Sequence, residues 1–247
     1  MRLVRGRAAT PPEDRAATAT MLTRAGETGE EAFRAWTPHR QVAFGRRDTH
    51  ADDYDLARRA ARERGYAVVE RSVGGRAVAY TGSTVAFAHA IPLDDPRREL
   101  TERYEAGVDG VLVALSDLGV DADRGEPADS FCPGDHSVRL VGAGVARGKV
   151  SGIAQRVQSD AALVAGCVLV NGRADLVDVL TPVYEALDVP FEPVSVGTLE
   201  DAGGPDDPER VCHALERAFL GADDDPLVQV ESVDDLASLD TRDSDVA

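Results

Sequence analysis

Residues 148–156 read GKVSGIAQR and contain Lys149, the single lysine of the chain. The alternation in this segment predicts a β-strand with Lys149, Ser151 and Ile153 on one face, where Gly152 relieves crowding beside them. The chain has 27 basic residues, and all the others are arginine, which can supply positive charge almost anywhere. The lone lysine is therefore a candidate for a chemical role, and an ordinary edge-strand lysine is the alternative.

Strands and helices are mixed along the rest of the chain. Strands are predicted at 32–36, 42–44, 67–69, 77–80, 84–91, 137–141, 150–155 and 162–170, and helices at 13–26, 52–64, 100–118, 175–187 and 205–221. The segments 77–80 and 84–91 read as a hairpin that turns at residues 81–83. Because no regular βαβ alternation occurs, the pattern predicts an α+β fold with a mixed or antiparallel sheet and flanking helices.

The length of 247 residues suits one domain over residues 1–222, followed by an acidic tail, 223–247, that we expect to be mostly disordered. The 44 acidic and 27 basic side chains give a net charge of −17, which argues against binding to nucleic acid or a membrane surface. No apolar run reaches the roughly 18–20 residues of a bilayer span, and the N terminus lacks a secretory core. We therefore expect a cytoplasmic protein.

The chain has only three cysteines, which is an odd number. Cys132, Cys167 and Cys212 show neither CxxC spacing nor a nearby HExxH motif, so we expect neither a disulfide framework nor a zinc site. Cys167 lies in an apolar run and is expected to be plain core. The acid-rich, lysine-poor composition is typical of proteins from salt-loving archaea, and it indicates habitat only.

Two further segments carry candidate chemistry. Residues 71–78 read RSVGGRAV, in which adjacent glycines allow close backbone approach and two arginines offer bidentate donors, although a tight turn with solvated arginines is the alternative. Residues 131–136 read FCPGDH, and a cysteine held by proline and glycine on a loop can be exposed enough to react. Asp135 and His136 could tune this thiol, and a buried inert thiol is the alternative.

Taken in order, the three segments resemble the lipoate-protein ligase and octanoyl/lipoyl transferase family, which is related to the catalytic domain of biotin protein ligase. The arginine-rich Gly-Gly motif of the family looks like residues 71–78, and its lysine motif, (G/R)-K-(I/V/F)-x-G-x-x-Q-R, looks like residues 148–156. Residues 42–46 also resemble a strand that ends in Gly-Arg near the family's N terminus. The resemblance spans roughly residues 15–190.

The resemblance implies a biotin/lipoate ligase-like fold. It also implies a set of site residues, none of which binds a metal ion. It implies that the catalytic residues are Cys132 and Lys149. The substrate-binding residues that it implies are Arg71, Gly74, Gly75, Arg76, Ala77, Val78, Gly152, Ile153, Ala154 and Gln155. The implied partners are lipoyl-carrier proteins, namely the glycine cleavage H protein and the E2 subunits of 2-oxoacid dehydrogenases.

Two enzymatic interpretations follow from the resemblance. The Cys-Pro-Gly segment looks like the cysteine-dependent branch, in which an octanoyl or lipoyl group moves between carriers through a thioester on Cys132, without ATP. There Lys149 would activate the thiol and polarise the acyl carbonyl, and the amides of Gly74 and Gly75 would stabilise the oxyanion. The alternative is a ligase that activates free lipoate with ATP and Mg²⁺, with Lys149 between carboxylate and α-phosphate. Against it, Arg76 stands where ligases usually carry a third glycine.

A third interpretation is a non-catalytic binder of lipoyl domains, which the intact Cys132 and Lys149 argue against. Either enzyme needs an apolar tunnel for the acyl chain. The candidate lining residues are Val73, Val78, Val85, Phe87 and Ile153. The alternative is that these side chains only pack in the hydrophobic core, as such residues more often do.

Overall fold

The computed structural model describes residues 1–71, 75–142, 147–221 and 228–236. The helices span Pro11–Thr28 (α1), Tyr54–Glu63 (α2), Leu100–Asp117 (α3), Arg173–Ala186 (α4) and Pro208–Leu220 (α5). The strands span Arg2–Arg5 (β1), Ala32–Trp36 (β2), Gln41–Phe44 (β3), Ala67–Glu70 (β4), Val78–Tyr80 (β5), Val85–Pro92 (β6), Ala122–Arg124 (β7), Ser137–Leu140 (β8), Lys149–Val157 (β9), Ala161–Val168 (β10) and Gln229–Ser232 (β11). None of the described helices is both long and apolar enough to cross a membrane.

The main sheet has eight strands in the order β11-β1-β2-β6-β10-β9-β8-β7. Strand β1 pairs in parallel with β11 and β2, and the other pairs are antiparallel. The sheet is therefore mixed and carries flanking helices, which confirms the predicted fold class.

A second, three-stranded sheet has the order β4-β3-β5. The predicted hairpin of residues 77–80 and 84–91 is wrong, because β5 pairs with β3 and β6 pairs with β2 and β10. Strand β6 finds eight partners along β10, whereas β5 has only three residues. The chain changes sheets at the turn, where the hydroxyls of Thr81 and Ser83 lie 2.9 Å apart. Alternation in the sequence reveals a strand but not its partner.

Helices α3 and α5 cover one face of the main sheet. A β-carbon at Gly107 of α3 would lie 2.8 Å from Val164 Cγ1, so the glycine lets this helix approach the sheet. The Phe219 ring of α5 occupies the space beside Gly110 and stacks on Phe33, with ring centroids 4.7 Å apart. Small residues in α3 thus set the spacing of these layers.

Helix α1 covers the opposite face over β2 and β6. Thr10 caps its N terminus by accepting a hydrogen bond from the Glu13 amide at 3.4 Å. Arg34 of β2 is fully buried and pairs with Asp14 of α1 at 2.5 Å. Arg34 Nη1 donates to the Asp14 carbonyl and to the Thr18 hydroxyl of α1, whereas Arg34 Nε and Asp14 Oδ2 have no hydrogen-bond partner among the described residues.

The terminal strands were not expected from the sequence. A mostly disordered tail is predicted over residues 223–247, yet residues 229–232 form β11 beside β1. Glu231 of β11 lies 3.2 Å from Arg24 of α1, and such long-range pairing leaves no local signal in an acidic segment. Residues 223–227 and 237–247 of the predicted tail lie outside the described residues.

Candidate active site

Cys132 lies on the loop between β7 and β8 in a left-handed backbone conformation, with φ +42°. Such a conformation costs a non-glycine residue about 1–3 kcal/mol and persists only where its surroundings hold it. The Cys132 amide donates a hydrogen bond to Tyr184 Oη at 2.5 Å. Cys132 is half-buried, whereas Cys167 and Cys212 are buried.

The Cys132 sulfur faces the arginine-rich segment. The Arg76 amide lies 3.4 Å from Sγ, and Arg71 Nη2 lies 3.9 Å from it. Gly75 has φ +93°, and a β-carbon there would lie 2.9 Å from the sulfur. Position 75 therefore requires glycine both for its backbone and for its space. The structure brings Arg71, Gly75 and Arg76 together against Cys132, and Gly74 lies outside the described residues.

Asp48 orients the segment that faces the sulfur, and sequence reasoning missed it. Its Oδ1 lies 3.3 Å from Arg76 Nη1, and its Oδ2 accepts the Gly45 amide at 2.9 Å. The side chain is fully buried, and this burial raises the pKa of the carboxyl, against the hydrogen bonds from Gly45 and Arg76. A β-carbon at Gly45 would overlap the Gly75 carbonyl oxygen, so the Gly-Arg end of β3 packs directly on the site.

Lys149 is almost completely buried. Its Nζ donates to Glu126 Oε2 at 2.9 Å, to the Phe131 carbonyl at 3.1 Å and to the Cys132 carbonyl at 2.8 Å. All three hydrogen bonds of Nζ go to the carboxylate and the backbone around Cys132, and a direct action of Lys149 on the thiol stays a prediction. Lys149 thus shapes the loop that carries Cys132.

The predicted face of the lysine strand is wrong. The register of β8 and β9 shifts by one residue, since Arg139 pairs with Lys149 and Val138 pairs with Ser151. This bulge turns Lys149 to the same face as Gly152, where a β-carbon would lie 3.1 Å from Lys149 Cε. A bulge reverses the alternation on which the prediction rested.

Glu126 and Tyr184 complete the site, and neither was selected from the sequence. Besides Lys149, Glu126 accepts hydrogen bonds from the hydroxyls of Ser130 and Ser137. The fully buried Tyr184 hydroxyl of α4 donates to the Ala77 carbonyl at 2.9 Å. An acidic residue in a polar loop and a tyrosine on a helix are unremarkable until the fold joins them to Cys132.

A sequence model of the family described as "Lipoyl protein ligase A/B catalytic domain" matches residues 11–220. The chain belongs to this family. The match contains the candidate site residues named above, and it confirms the family that the three sequence motifs indicate.

Curated relatives of this lipoyl protein ligase A/B domain are named octanoyl-[GcvH]:protein N-octanoyltransferase. The protein from Geobacillus kaustophilus is 29% identical over 152 residues, which cover 60% of this chain and 52% of that protein. The protein from Oceanobacillus iheyensis is 25% identical over 206 residues, which cover 77% of this chain and 72% of that protein. The chain therefore aligns with about half the length of the Geobacillus relative.

Solved structures share the fold of this lipoyl protein ligase A/B domain. A crystal structure of lipoate-protein ligase A bound with ATP has a TM-score of 0.73 at 20% identity, covering 96% of this chain and 92% of that chain. The bipartite lipoate protein ligase of Thermoplasma acidophilum has a TM-score of 0.70 at 19% identity, covering 96% and 90%. At these identities the likeness concerns the fold.

The central strands β6, β10 and β9 carry small side chains on the face of the sheet that points away from Val85 and Phe87. We call this surface the small-residue face. Cross-strand pairing sets its members in two rows, which are Ala86, Cys167 and Gly152 in one and Ala88, Ala165 and Ala154 in the other. Lys149 lies over this face beside Gly152. Small side chains thus line the sheet next to Lys149 and the loop that carries Cys132.

Several predicted residues lie away from the thiol. Ile153 packs toward Gly107 of α3, and Phe87 lies 5.4 Å from the Phe219 ring of α5, so their face is covered by helices. Gln155 accepts from Arg103 Nε at 2.6 Å and joins β9 to α3. Because of the bulge, Ile153 and Gln155 face α3, and their contact with a substrate stays a prediction.

The other predicted tunnel residues that the structure describes pack in the core, and His136 packs against a helix. Val78 and Val85 are buried in the main core, and Val73 lies outside the described residues. His136 stacks on Tyr104 with ring centroids 3.8 Å apart, so its ring packs against α3. Among the residues that the structure describes, no group of three or more His, Cys, Asp or Glu side chains could hold a metal ion.

Cys167 is buried in the core, as predicted. Burial raises the pKa of its thiol to about 11, and it raises that of Cys212 to about 12. Both thiols therefore stay protonated near neutral pH, which leaves Cys132 as the candidate nucleophile among the three cysteines.

Proposed function

We propose that the chain moves an octanoyl or lipoyl group between lipoyl-carrier proteins through a thioester on Cys132. The observation that carries the proposal is the position of Cys132 Sγ, 3.4 Å from the Arg76 amide and 3.9 Å from Arg71 Nη2. Donors of this kind favour a thiolate, which is the nucleophilic form of cysteine. The names of the Geobacillus and Oceanobacillus relatives support the same chemistry.

The proposed reaction exchanges one amide for another. The Cys132 sulfur attacks the acyl carbonyl on the donor lysine, a C–S bond forms, and the amide C–N bond breaks. The donor lysine leaves as an amine and takes the proton that the thiol lost. The acceptor lysine then attacks the thioester, a new C–N bond forms, and the C–S bond breaks to return the thiol. No ATP or Mg²⁺ is needed, because the acyl group enters already joined to a carrier.

Individual residues have separate parts in this proposal. Arg71 and the Arg76 amide stabilise the thiolate, and Asp48 holds Arg76. Lys149 holds the Cys132 loop through its backbone carbonyls. Stabilisation of the oxyanion by the amides of residues 74–75 stays a prediction.

We assign the acyl chain to the small-residue face. Gly152, Ala154 and Ala165 are only partly buried, and the Lys149 side chain lies beside Gly152, with Cε 3.1 Å from the place of a β-carbon. A flat apolar floor suits an eight-carbon chain, because alanine methyl groups exclude water without filling the volume. The face replaces the predicted lining of larger side chains.

The partners in the proposal are lipoyl-carrier proteins of the H-protein and E2 type, and the reaction takes place in the cytoplasm. The relatives are named for action on GcvH, and the Thermoplasma acidophilum ligase was solved in a study that included its E2 lipoyl domain. These names support a protein-borne lysine as donor and acceptor.

The test is intact-protein mass spectrometry after the purified chain is mixed with an octanoylated H-protein domain, without ATP and in high salt. We expect an acyl adduct that hydroxylamine removes. Cys132→Ser should lose the adduct, and Cys212→Ser, which changes a buried thiol on α5, should keep it. Modification of an acceptor domain by free lipoate and Mg-ATP, with no adduct in the first mixture, would favour the ligase instead.

A further inference from the structure

We propose that Tyr184 is a positioning residue for the nucleophile, and that its single hydroxyl holds the Cys132 loop in register with the Arg71–Arg76 side of the site. The proposal rests on the function proposed above. It concerns a helix residue that lies 52 positions from Cys132 in the sequence and outside each motif that the sequence displays.

The hydroxyl of Tyr184 bridges two backbone segments. It accepts the Cys132 amide at 2.5 Å and donates to the Ala77 carbonyl at 2.9 Å. The side chain is fully buried, and its ring lies 5.1 Å from that of Phe191. A buried hydroxyl with both a donor and an acceptor partner is fixed in position, since either movement would leave a polar group unpaired.

Both bridged segments meet at the sulfur. Ala77 follows Arg76, whose amide lies 3.4 Å from Cys132 Sγ, so the carbonyl that Tyr184 holds is one residue from the amide that faces the thiol. On the other side, Tyr184 receives the amide of Cys132 itself, whose φ of +42° needs external support. The hydroxyl thereby sets the distance between the sulfur and its amide donor.

The protonation of Tyr184 suits this position. Burial raises the pKa of the phenol well above its usual value of 10. The hydroxyl consequently remains a donor to Ala77 over the neutral and mildly alkaline range in which a cysteine thiolate reacts.

Tyr184→Phe tests the proposal because it keeps the ring and removes only the bridging oxygen. We expect the rate of thioester formation to fall roughly 10- to 100-fold, with KM for the carrier nearly unchanged, since a displacement on the order of 1 Å has such an effect. Alkylation of Cys132 by iodoacetamide should slow, and its pH profile should move to higher pH. A merely structural tyrosine would leave this profile unchanged.

Tyr66→Phe is the matched control. Tyr66 is also buried, and its hydroxyl also donates to a carbonyl of α4, that of Asp175, at 3.4 Å. Tyr66 contacts Asp175 and Arg40, and within the part of the chain that the structure describes neither contact involves the thiol loop. Both the transfer rate and the alkylation profile should therefore match the unmodified chain. Equal thermal unfolding of the two variants would show that the difference lies at the thiol.

The outcomes separate this inference from the proposed function. If the unmodified chain forms no acyl adduct, the proposed function fails, and the alkylation profiles still decide the role of Tyr184. Identical turnover and alkylation in Tyr184→Phe and the unmodified chain would overturn the positioning role. Should Tyr184→Phe fail to fold, amide hydrogen exchange of the unmodified chain decides, because fast exchange at Cys132 would contradict the hydrogen bond.

Discussion

Lys149 Nζ donates a hydrogen bond to Glu126 Oε2 at 2.9 Å, in a site where the lysine side chain is 1% exposed and the glutamate 23%. The only lysine of the chain is thus neutralised by a residue from the polar loop before Cys132. Glu126 also accepts from the hydroxyls of Ser130 and Ser137 at either end of the Cys132 loop. One carboxylate therefore couples the buried charge to the shape of the loop.

Removing this carboxylate should destabilise the chain strongly. Glu126→Ala leaves the buried ammonium of Lys149 without its counter-charge, and we expect the free energy of unfolding to fall by about 3 kcal/mol in urea titrations. The control is Asp123→Ala, which breaks the half-exposed pair of Asp123 and Arg139 and should cost less than about 1 kcal/mol. Equal losses in the two variants would contradict the buried pair.

Adding a methyl group at Gly152 should disturb Lys149. The new β-carbon would lie 3.1 Å from Lys149 Cε and 3.4 Å from Nζ, so the lysine must move. We expect Gly152→Ala to lower the free energy of unfolding by about 1–3 kcal/mol and to slow acyl transfer. For comparison, a β-carbon at Gly134 meets no atom within 4 Å, and Gly134→Ala should leave the unfolding curve nearly unchanged.

Alkylation should distinguish the three cysteines by pH. Burial raises the pKa of Cys167 to about 11 and that of Cys212 to about 12, so below these values each stays a thiol, and thiols react slowly. At pH 8 the folded chain should take one alkyl group, on Cys132, and the chain unfolded in urea should take three. Mass spectrometry counts the groups, and a second group on the folded chain at pH 8 would argue against the burial of these thiols.

Salt should raise the rate of transfer from an acidic carrier. The chain has a net charge of −17, and the Debye length falls from about 10 Å at 0.1 M salt to about 3 Å at 1 M, which screens like-charge repulsion. We expect kcat/KM for the carrier to increase with NaCl, whereas alkylation by neutral iodoacetamide should vary little. Transfer that is fastest at low ionic strength would refute a repulsive encounter.

Much of the secondary structure follows from the sequence, because strands and helices are encoded in periods of two and 3.6 residues. Helix α3, predicted at 100–118 and found at Leu100–Asp117, shows this agreement. The partner of each strand, in contrast, does not follow from these periods. Strand β5 leaves its expected partner β6 for β3, and β11 adds to β1 from an acidic segment without a clear local pattern.

The candidate site, too, could be predicted from the sequence only in part. Its motifs identify Arg71, Gly75, Arg76 and Cys132 as candidates, and the structure brings these four together. The orientation of Lys149 required the bulge opposite Val138 and Arg139, which a count of alternating residues does not contain. For Ile153, the same bulge places the side chain under α3.

The sequence by itself determined the family, the fold class and the candidate thiol and lysine, because these depend on short motifs and periodic patterns along the chain. Only the tertiary structure decided that Asp48, Glu126 and Tyr184 support the site. Their hydrogen bonds join distant segments, so the chemistry of each residue becomes specific only when folding sets its partner within about 3 Å.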